Sequence, residues 1–336
     1  MTETLLRLEG LTVTYHTPQG PVRAVDGASF AVPRGKVVGL VGESGCGKTT
    51  VARAVMGVVP RSAEIGGGPV TFEGRDLIRL PERERRALRW KEIAFIPQTA
   101  MSALDPVYRV GRQIEEVLTE RGGRSRAEAR ARATELFGLV GIDARRLNDY
   151  PHQFSGGMKQ RASIAIALAL EPKLVLADEP VTALDVIVQR QVLDLLKSLQ
   201  ARLGLSVVLV THDISVVAYA CDRVVVMYAG RVVESGVVAE VLERPLHPYT
   251  MGLTNAFPDL ERAGGELVPI EGSPPNLLHP PKGCRFAERC PFAQQRCVDA
   301  EPPLVTDDHG HASACWRADE AAALRPLAAE AATWKR

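Results

Sequence analysis

The sequence predicts an α/β protein built around a largely parallel, buried sheet. Two observations carry that expectation. Continuous apolar runs at 36–41, 174–177, 207–210 and 224–228 alternate with longer segments of helical periodicity. Unbroken apolar strands separated by helices are what a sheet covered on both faces requires. The first run also ends in a glycine-rich loop, GESGCGKT at 42–49, from which a helix is expected to continue through Met56.

The elements follow in order. The first thirty residues, with LLRLEG, LTVTYH and ASFAV, read as antiparallel strands added at one side of the sheet. A strand at 93–96 comes next. From about 105 to 170 strand signals fade and the pattern turns helical. Ser125 and Glu128 form a capping box that opens one helix. The apolar stretch 162–170 contains Ser163 and reads as a buried helix, not a membrane span. This region is expected to be a helical subdomain inserted into the α/β core. A helix at 186–203 separates two of the apolar strands. From about Leu246 onward proline and loop signals dominate (GSPPNLLHPPKG), and four of the six cysteines gather there. No internal repeat is visible.

Bulk properties narrow the classes. A chain of 336 residues accommodates one large domain with an appendage, or two modest domains. Hydrophobic residues at 46% and charged residues at 24% suit a globular protein with a core. The formal net charge of +1 gives no field to recruit nucleic acid or an anionic membrane, so membrane contact would need a specific surface. The arginine-rich stretches PERERRALRWK and ERGGRSRAEARARA carry acids at helical spacing and read as solvated helix faces. The N-terminal MTETLLRLEG lacks the basic start and apolar core of a signal peptide. A cytosolic setting is expected, where the cysteines are not expected to form disulfides.

GESGCGKT fits G-x-x-x-x-G-K-S/T in the strand–loop–helix context that the pattern needs. Glycines let backbone wrap a phosphate, and amides at a helix N-terminus supply aligned donors and positive dipole. Gly42, Ser44, Gly45, Cys46, Gly47, Lys48, Thr49 and Thr50 are therefore the candidate ATP-binding set. Lys48 would reach the β- and γ-phosphates and Thr49 would ligate Mg2+. Cys46 is the small side chain such a loop needs, and Cys221 reads as packing. The apolar strand 174–177 ends in Asp178 and Glu179. Asp178 is placed to hold the Mg2+ shell, and Glu179 to activate an attacking water. By themselves these two also read as a pair of surface acids; the phosphate loop upstream favours function.

Further along, FSGGMKQ at 154–160 resembles the signature sequence of ABC-type ATPases. Gln98 after the strand 93–96 matches that family's Q-loop, the run ALD ending at Asp185 its D-loop, and His212 its switch histidine. Tyr15 falls where the family places an aromatic that stacks on adenine. Each alone is weak: Tyr15 also reads as a half-buried strand aromatic and His212 as a core histidine. Their joint order, over about residues 5 to 240, carries the resemblance.

The resemblance implies a P-loop (RecA-like) ATPase core with an antiparallel β subdomain and the helical insertion, hydrolysing ATP with Mg2+. Glu179, His212 and Gln98 would be catalytic, with Thr49, Gln98 and Asp178 around the metal. Two such domains would meet head to tail. Ser155, Gly156, Gly157 and Asp185 would then serve the partner's nucleotide. Gln98 and the loop after it (TAMSALDPVYRVG) would pass the motion to membrane-spanning subunits. Two positions depart from the family pattern. Met158 stands where the signature usually has glutamine, and Val181 where serine or threonine is common. A methionine at 158 is similar to one of the two unequal ATPase subunits of peptide importers.

The tail segments HPYTMGL from His247, GSPP from Gly272, GCRFAERCPF from Gly283 and ACW at 314–316 resemble the C-terminal extension of oligopeptide and dipeptide importer ATPases; relatives also move nickel or oligosaccharides. The cysteine spacing is C-x5-C-x6-C-x17-C. Four thiols leave open an iron–sulfur cluster, zinc, or plain reduced cysteines, and the tighter pairs usual for zinc are absent. The resemblance points to a 4Fe–4S cluster on Cys284, Cys290, Cys297 and Cys315. The residues between them are loop-like, so a structural cross-link compensating for a poor apolar core is expected.

The expected organisation is an ATPase domain at 1–245, with its helical subdomain at about 99–170, and a small cysteine-rich extension at 246–336. The implied partners are a paralogous ATPase subunit, two transmembrane permeases and an extracytoplasmic solute-binding protein, with no nucleic acid. The chain would then sit on the cytoplasmic face of the membrane and power peptide import. A soluble non-transport ABC ATPase is the alternative from another class. Such proteins usually join two ATPase domains or carry a long coiled-coil insertion.

Overall fold

The computed structural model describes residues 3–98, 103–255 and 269–335. The chain forms two compact units: Met1–Leu6, Val32–Val37 and Phe72–Val210 make the first, and Arg7–Ala31, Val38–Thr71 and Thr211–Arg336 the second.

In the first unit the strands Ile93–Ile96, Leu174–Asp178 and Ser206–Thr211 run parallel, with Ile93 beside Leu174, and Leu174 beside Ser206. All five residues of Leu174–Asp178 are buried. This is why the segment is continuously apolar up to its final acid: both faces are covered. Between 103 and 170 the described residues are helical or irregular and hold no strand. The helix Arg126–Leu139 opens with the expected capping box: the Ser125 hydroxyl accepts from the Glu128 amide, and the Glu128 carboxylate accepts from the Ser125 amide at 2.8 Å. The helix Gly156–Ala167 buries Ala162, Ser163, Ile164 and Ala165. No helix among the described residues is long and apolar enough to cross a membrane. The arginine-rich segments carry ion pairs, among them Arg89 to Glu82 at 3.0 Å and Arg130 to Glu115 at 2.9 Å.

In the second unit the strand Thr4–Thr17 pairs antiparallel with Ala63–Gly67, placing Tyr15 beside Ala63. Strand Val37–Val41 runs parallel to Arg223–Tyr228, with Val38 opposite Arg223 and Val41 opposite Val226. Arg231–Val237 returns antiparallel, and the short strands Ala312–Ser313 and Val305–Thr306 extend the sheet beyond it.

The C-terminal segment departs from the expectation of a poor apolar core. Tyr249, Met251, Phe286, Leu324 and Trp334 join Val224, Val226 and Val233 in one buried cluster. Phe286 is 1% exposed and Tyr249 wholly buried. Ala321, Leu324 and Ala328 recur at helical spacing on the helix Ala321–Ala328, whereas Phe286 stands in a proline-rich stretch with no regular period. Their burial comes from sheet partners distant in sequence.

Candidate nucleotide site and cysteine cavity

The loop 42–47 links strand Val37–Val41 to helix Lys48–Met56. Two glycines are required by close approach. A Cβ on Gly42 would lie 2.0 Å from the Met227 carbonyl oxygen, and one on Gly47 2.4 Å from that of Ala24; their φ angles are +155° and +103°. Gly47 caps the helix without any side-chain hydrogen bond, and a helix start of this kind suits an anion. Lys48 is buried, and its ammonium folds back over the loop, donating to the carbonyls of Gly42 at 2.7 Å and Glu43 at 2.9 Å. Cys46 is buried beneath it; burial pushes its thiol up, against the pull of Lys48. The Tyr15 hydroxyl lies 3.3 Å from the Thr50 hydroxyl, which brings Tyr15 to the helix that carries Thr49 and Thr50. His212 is exposed, between strand Ser206–Thr211 and helix Ile214–Ala220.

The acidic strand end lies in the first unit. Asp178 is buried as the last residue of its strand. Glu179 takes a left-handed backbone, φ 46°, and its amide donates to the Val210 carbonyl at 2.9 Å. Its carboxylate oxygen Oε2 accepts from Gln98 Nε2 at 2.8 Å and from the Thr182 hydroxyl at 2.9 Å. The structure thus brings Gln98 and Glu179 together and adds Thr182, for which the only local signal was a hydroxyl three residues after the acid. Residues 99–102 of the loop expected to couple to membrane subunits lie outside the described residues.

Ser155 is the N-cap of helix Gly156–Ala167, and its Oγ accepts from the Met158 amide at 3.3 Å. Gly156 and Gly157 form its first turn. A Cβ on Gly157 would meet Val188 at 2.5 Å, so that glycine permits the close approach of helix Val186–Leu203. Asp185 caps the latter helix, accepting from the Val188 amide at 3.0 Å. Just past it Val186 and Ile187 are 80% and 72% exposed.

Cys284, Cys290, Cys297 and Cys315 are free thiols that line one small cavity together with His247, Phe286 and Trp316. Burial pushes Cys284 up to about 11, and Cys290 and Cys315 up to about 12. Backbone amides aim at two of the sulfurs: Gln294 donates to Cys297 at 3.5 Å and Arg317 to Cys315 at 3.4 Å. The donor set, soft sulfur with N–H groups pointing at it, suits a soft metal or a cluster. Among the described residues, however, no group of three or more His, Cys, Asp or Glu side chains is placed to hold a metal ion. The cysteines share a cavity without forming a ligand shell.

Sequence reasoning also missed a set of contacts onto the phosphate loop. The Glu43 amide donates to the Tyr249 hydroxyl at 2.9 Å, and Arg289 Nη1 donates to the Glu43 carboxylate at 2.8 Å. Arg285 reaches Asp26 and the Ala229 carbonyl. Tyr249 and Arg289 lie 206 and 246 residues from Glu43, and Arg285 lies 259 from Asp26 and 56 from Ala229, and no local pattern announces them.

A phosphate loop on a parallel strand, a second buried strand tipped with acid and a serine-capped glycine pair define a nucleotide-binding cassette with an added C-terminal segment. Known proteins agree. The family model for ABC transporters matches residues 25–182, and that for the oligopeptide/dipeptide transporter C-terminal region matches 233–297. A probable peptide ABC transporter ATP-binding protein of Sinorhizobium fredii is 48% identical over 94% of this chain and 96% of its own. The oligopeptide transport ATP-binding protein OppD of Salmonella typhimurium is 47% identical over 93% of both chains. The dipeptide transport protein DppD of Bacillus subtilis is 43% identical over 98% of this chain and 99% of its own. Among solved structures, a dimeric ATP-binding cassette in a post-hydrolysis state with ADP and Pi superposes with a TM-score of 0.62 at 30% identity, covering 69% of this chain and 98% of that one. The chain belongs to the family of ABC transporter ATP-binding subunits, in its oligopeptide/dipeptide branch.

Proposed function

We propose that this chain is the ATP-hydrolysing subunit that powers an ABC importer of short peptides. What supports the reading most is identity of 43–48% over nearly the whole chain to ATP-binding proteins named for peptide transport.

The site residues divide the work. Tyr15 stacks on the adenine. The loop amides from Ser44 to Thr50 and the Lys48 ammonium hold the phosphates, with Thr49, Asp178 and Gln98 as the Mg2+ set. When bound, Mg2+ neutralises charge developing on the transferred phosphoryl group. Glu179 takes the proton of the attacking water, its carboxylate oriented by Gln98 and Thr182. His212 completes the half-site. Because the Ser155 oxygen accepts from Met158, its own hydrogen remains available to donate to the γ-phosphate of a second subunit, beside the Gly156 and Gly157 amides. Asp185 and the exposed Val186 and Ile187 supply surface for that second subunit. Met158 favours a paralogue as the partner. Two transmembrane permeases and an extracytoplasmic binding protein complete the assembly, which holds the chain at the cytoplasmic face of the membrane. Val107, 70% exposed, and Tyr108 offer a surface for the permeases.

We keep the partition into an ATPase domain at 1–245, with a helical subdomain at about 99–170, and a cysteine-rich extension at 246–336. Cys284, Cys290, Cys297 and Cys315 are the residues that would hold a 4Fe–4S cluster. When bound, the cluster cross-links the loops that carry them; their shared cavity and the amides facing sulfur support this.

Glu179→Gln tests the catalytic assignment. Turnover should fall about 10²–10⁴-fold while ATP still binds, as loss of a general base demands. Parental turnover in that variant would remove Glu179 from the mechanism.

A further inference from the structure

We propose that Tyr249 and Arg289 are positioning residues for the phosphate loop, acting on it through Glu43. The inference rests on the reading of 42–50 as that loop, and on one peptide group within it.

The peptide group joining Gly42 to Glu43 is held from both ends. Its N–H, on Glu43, donates to the Tyr249 hydroxyl at 2.9 Å. Its C=O, on Gly42, accepts from the Lys48 ammonium at 2.7 Å. The two groups point in opposite directions from one rigid plane, so fixing the first aims the second. Left to itself this plane is easily turned, because Gly42 has no Cβ to restrict rotation and already sits at φ +155°. Tyr249 is therefore what keeps the carbonyl under Lys48, and with it the resting place of the side chain that reaches for phosphate.

Arg289 acts on the same residue through its side chain. Nη1 donates to the Glu43 carboxylate at 2.8 Å and to the Tyr228 hydroxyl at 3.1 Å. Nε and Nη2 donate to the carbonyls of Glu271 and Ile270, at 2.9 and 3.0 Å. Every nitrogen of the guanidinium is engaged, and the side chain is 7% exposed. The Tyr249 ring is equally confined, 4.7 Å from that of Tyr228 and 5.3 Å from that of Phe286. An ion pair this buried adds little net stability over apolar packing. What it does secure is the position of Glu43, a half-buried residue of the loop.

The same two residues each adjoin, in sequence, one that lines the cysteine cavity. Arg289 directly precedes Cys290, and the Tyr249 amide donates to Nδ1 of His247, which lines that cavity. The C-terminal segment is thus built into the support of the phosphate loop, not merely attached beside it.

The test uses the full chain in its transporter complex. The dissociation constant of a fluorescent ATP analogue, KM for ATP, kcat and Tm are measured for Tyr249→Phe, Glu43→Gln, Arg289→Gln, Arg289→Lys and Lys48→Ala. Tyr249→Phe deletes one oxygen and removes the acceptor of a partly buried amide; Kd and KM should rise about 5- to 30-fold with kcat within about threefold. Arg289→Gln should raise Kd in the parental background but add little to Glu43→Gln, since both break one ion pair. Arg289→Lys, with the charge but not the fork, should recover part of the loss. Parental Kd in both Tyr249→Phe and Glu43→Gln, even with a lowered Tm, would make these contacts structural only and overturn the proposal. Parental Kd in Lys48→Ala would instead sink the phosphate-loop reading beneath it.

Discussion

Glu179 carries a backbone conformation that side chains other than glycine rarely adopt, φ 46°, at the point where a buried strand meets a loop. Such strain persists only where surroundings enforce it, here the Val210 carbonyl on the amide side and Gln98 and Thr182 on the carboxylate. The consequence is a carboxylate aimed by two donors rather than free to rotate. Lys48 differs in kind. Its ammonium rests on loop carbonyls, and the proposed task is to bind charge, not to move a proton. The two residues should therefore fail differently. Glu179→Gln retains ATP and loses turnover, whereas Lys48→Ala loses affinity for ATP itself, about 10-fold or more, as removal of a charge-assisted contact implies. Equilibrium binding beside single-turnover rates separates the two; equal affinities in both variants would contradict the assignment.

Among the three helices of the candidate site, the starts are not capped alike. Ser155 and Asp185 cap their helices with side-chain oxygens, while Gly47 leaves its helix uncapped. The uncapped start is the one expected to receive phosphate from its own chain. Elsewhere the first unit is tied by charge. Glu73 pairs with Lys173 at 2.7 Å and Arg34 at 2.8 Å, and Glu92 with Lys173 at 3.0 Å. Lys173, then Arg34, hold the Glu73 carboxyl below its ordinary value. A carboxylate lowered in the folded state stabilises it above the unfolded pKa, about 4.3, and loses that contribution as pH falls through the lower folded value. Glu73→Gln should thus destabilise the protein at pH 7 by about 1 kcal/mol or less, with the deficit closing below about pH 4. Denaturation at both pH values checks this; an equal deficit at pH 3 and pH 7 would show that the pairing is not electrostatic.

For the molecule as a whole, the parts legible in the sequence were those whose cause is local. Helix Val186–Leu203 has the expected bounds, because Asp185 caps it and Gly204 ends it in a left-handed turn. The buried parallel strands announced themselves by lacking any polar alternation until Asp178. The long-range contacts were illegible. Tyr249 stands 206 residues from Glu43, and Arg289 246 residues away, so no periodicity relates them. The packing of the C-terminal segment was hidden for the same reason: Phe286 and Trp334 find their core on strands read from a different part of the chain. That core bears on the cysteines. If the segment stands on its own packing, Cys284→Ser should abolish visible absorbance of anaerobically purified protein while leaving most of the fold intact by circular dichroism. Absorbance unchanged from the parent would count against the cluster.

ATP hydrolysis by this chain powers the import of peptides. The most direct measurement is the ATPase rate of the complex from its native membrane, with its binding protein, with and without a mixture of short peptides. Peptides should stimulate the rate, and the stimulation should disappear in Glu179→Gln. A rate indifferent to peptides but raised by nickel or an oligosaccharide would contradict the assignment of cargo.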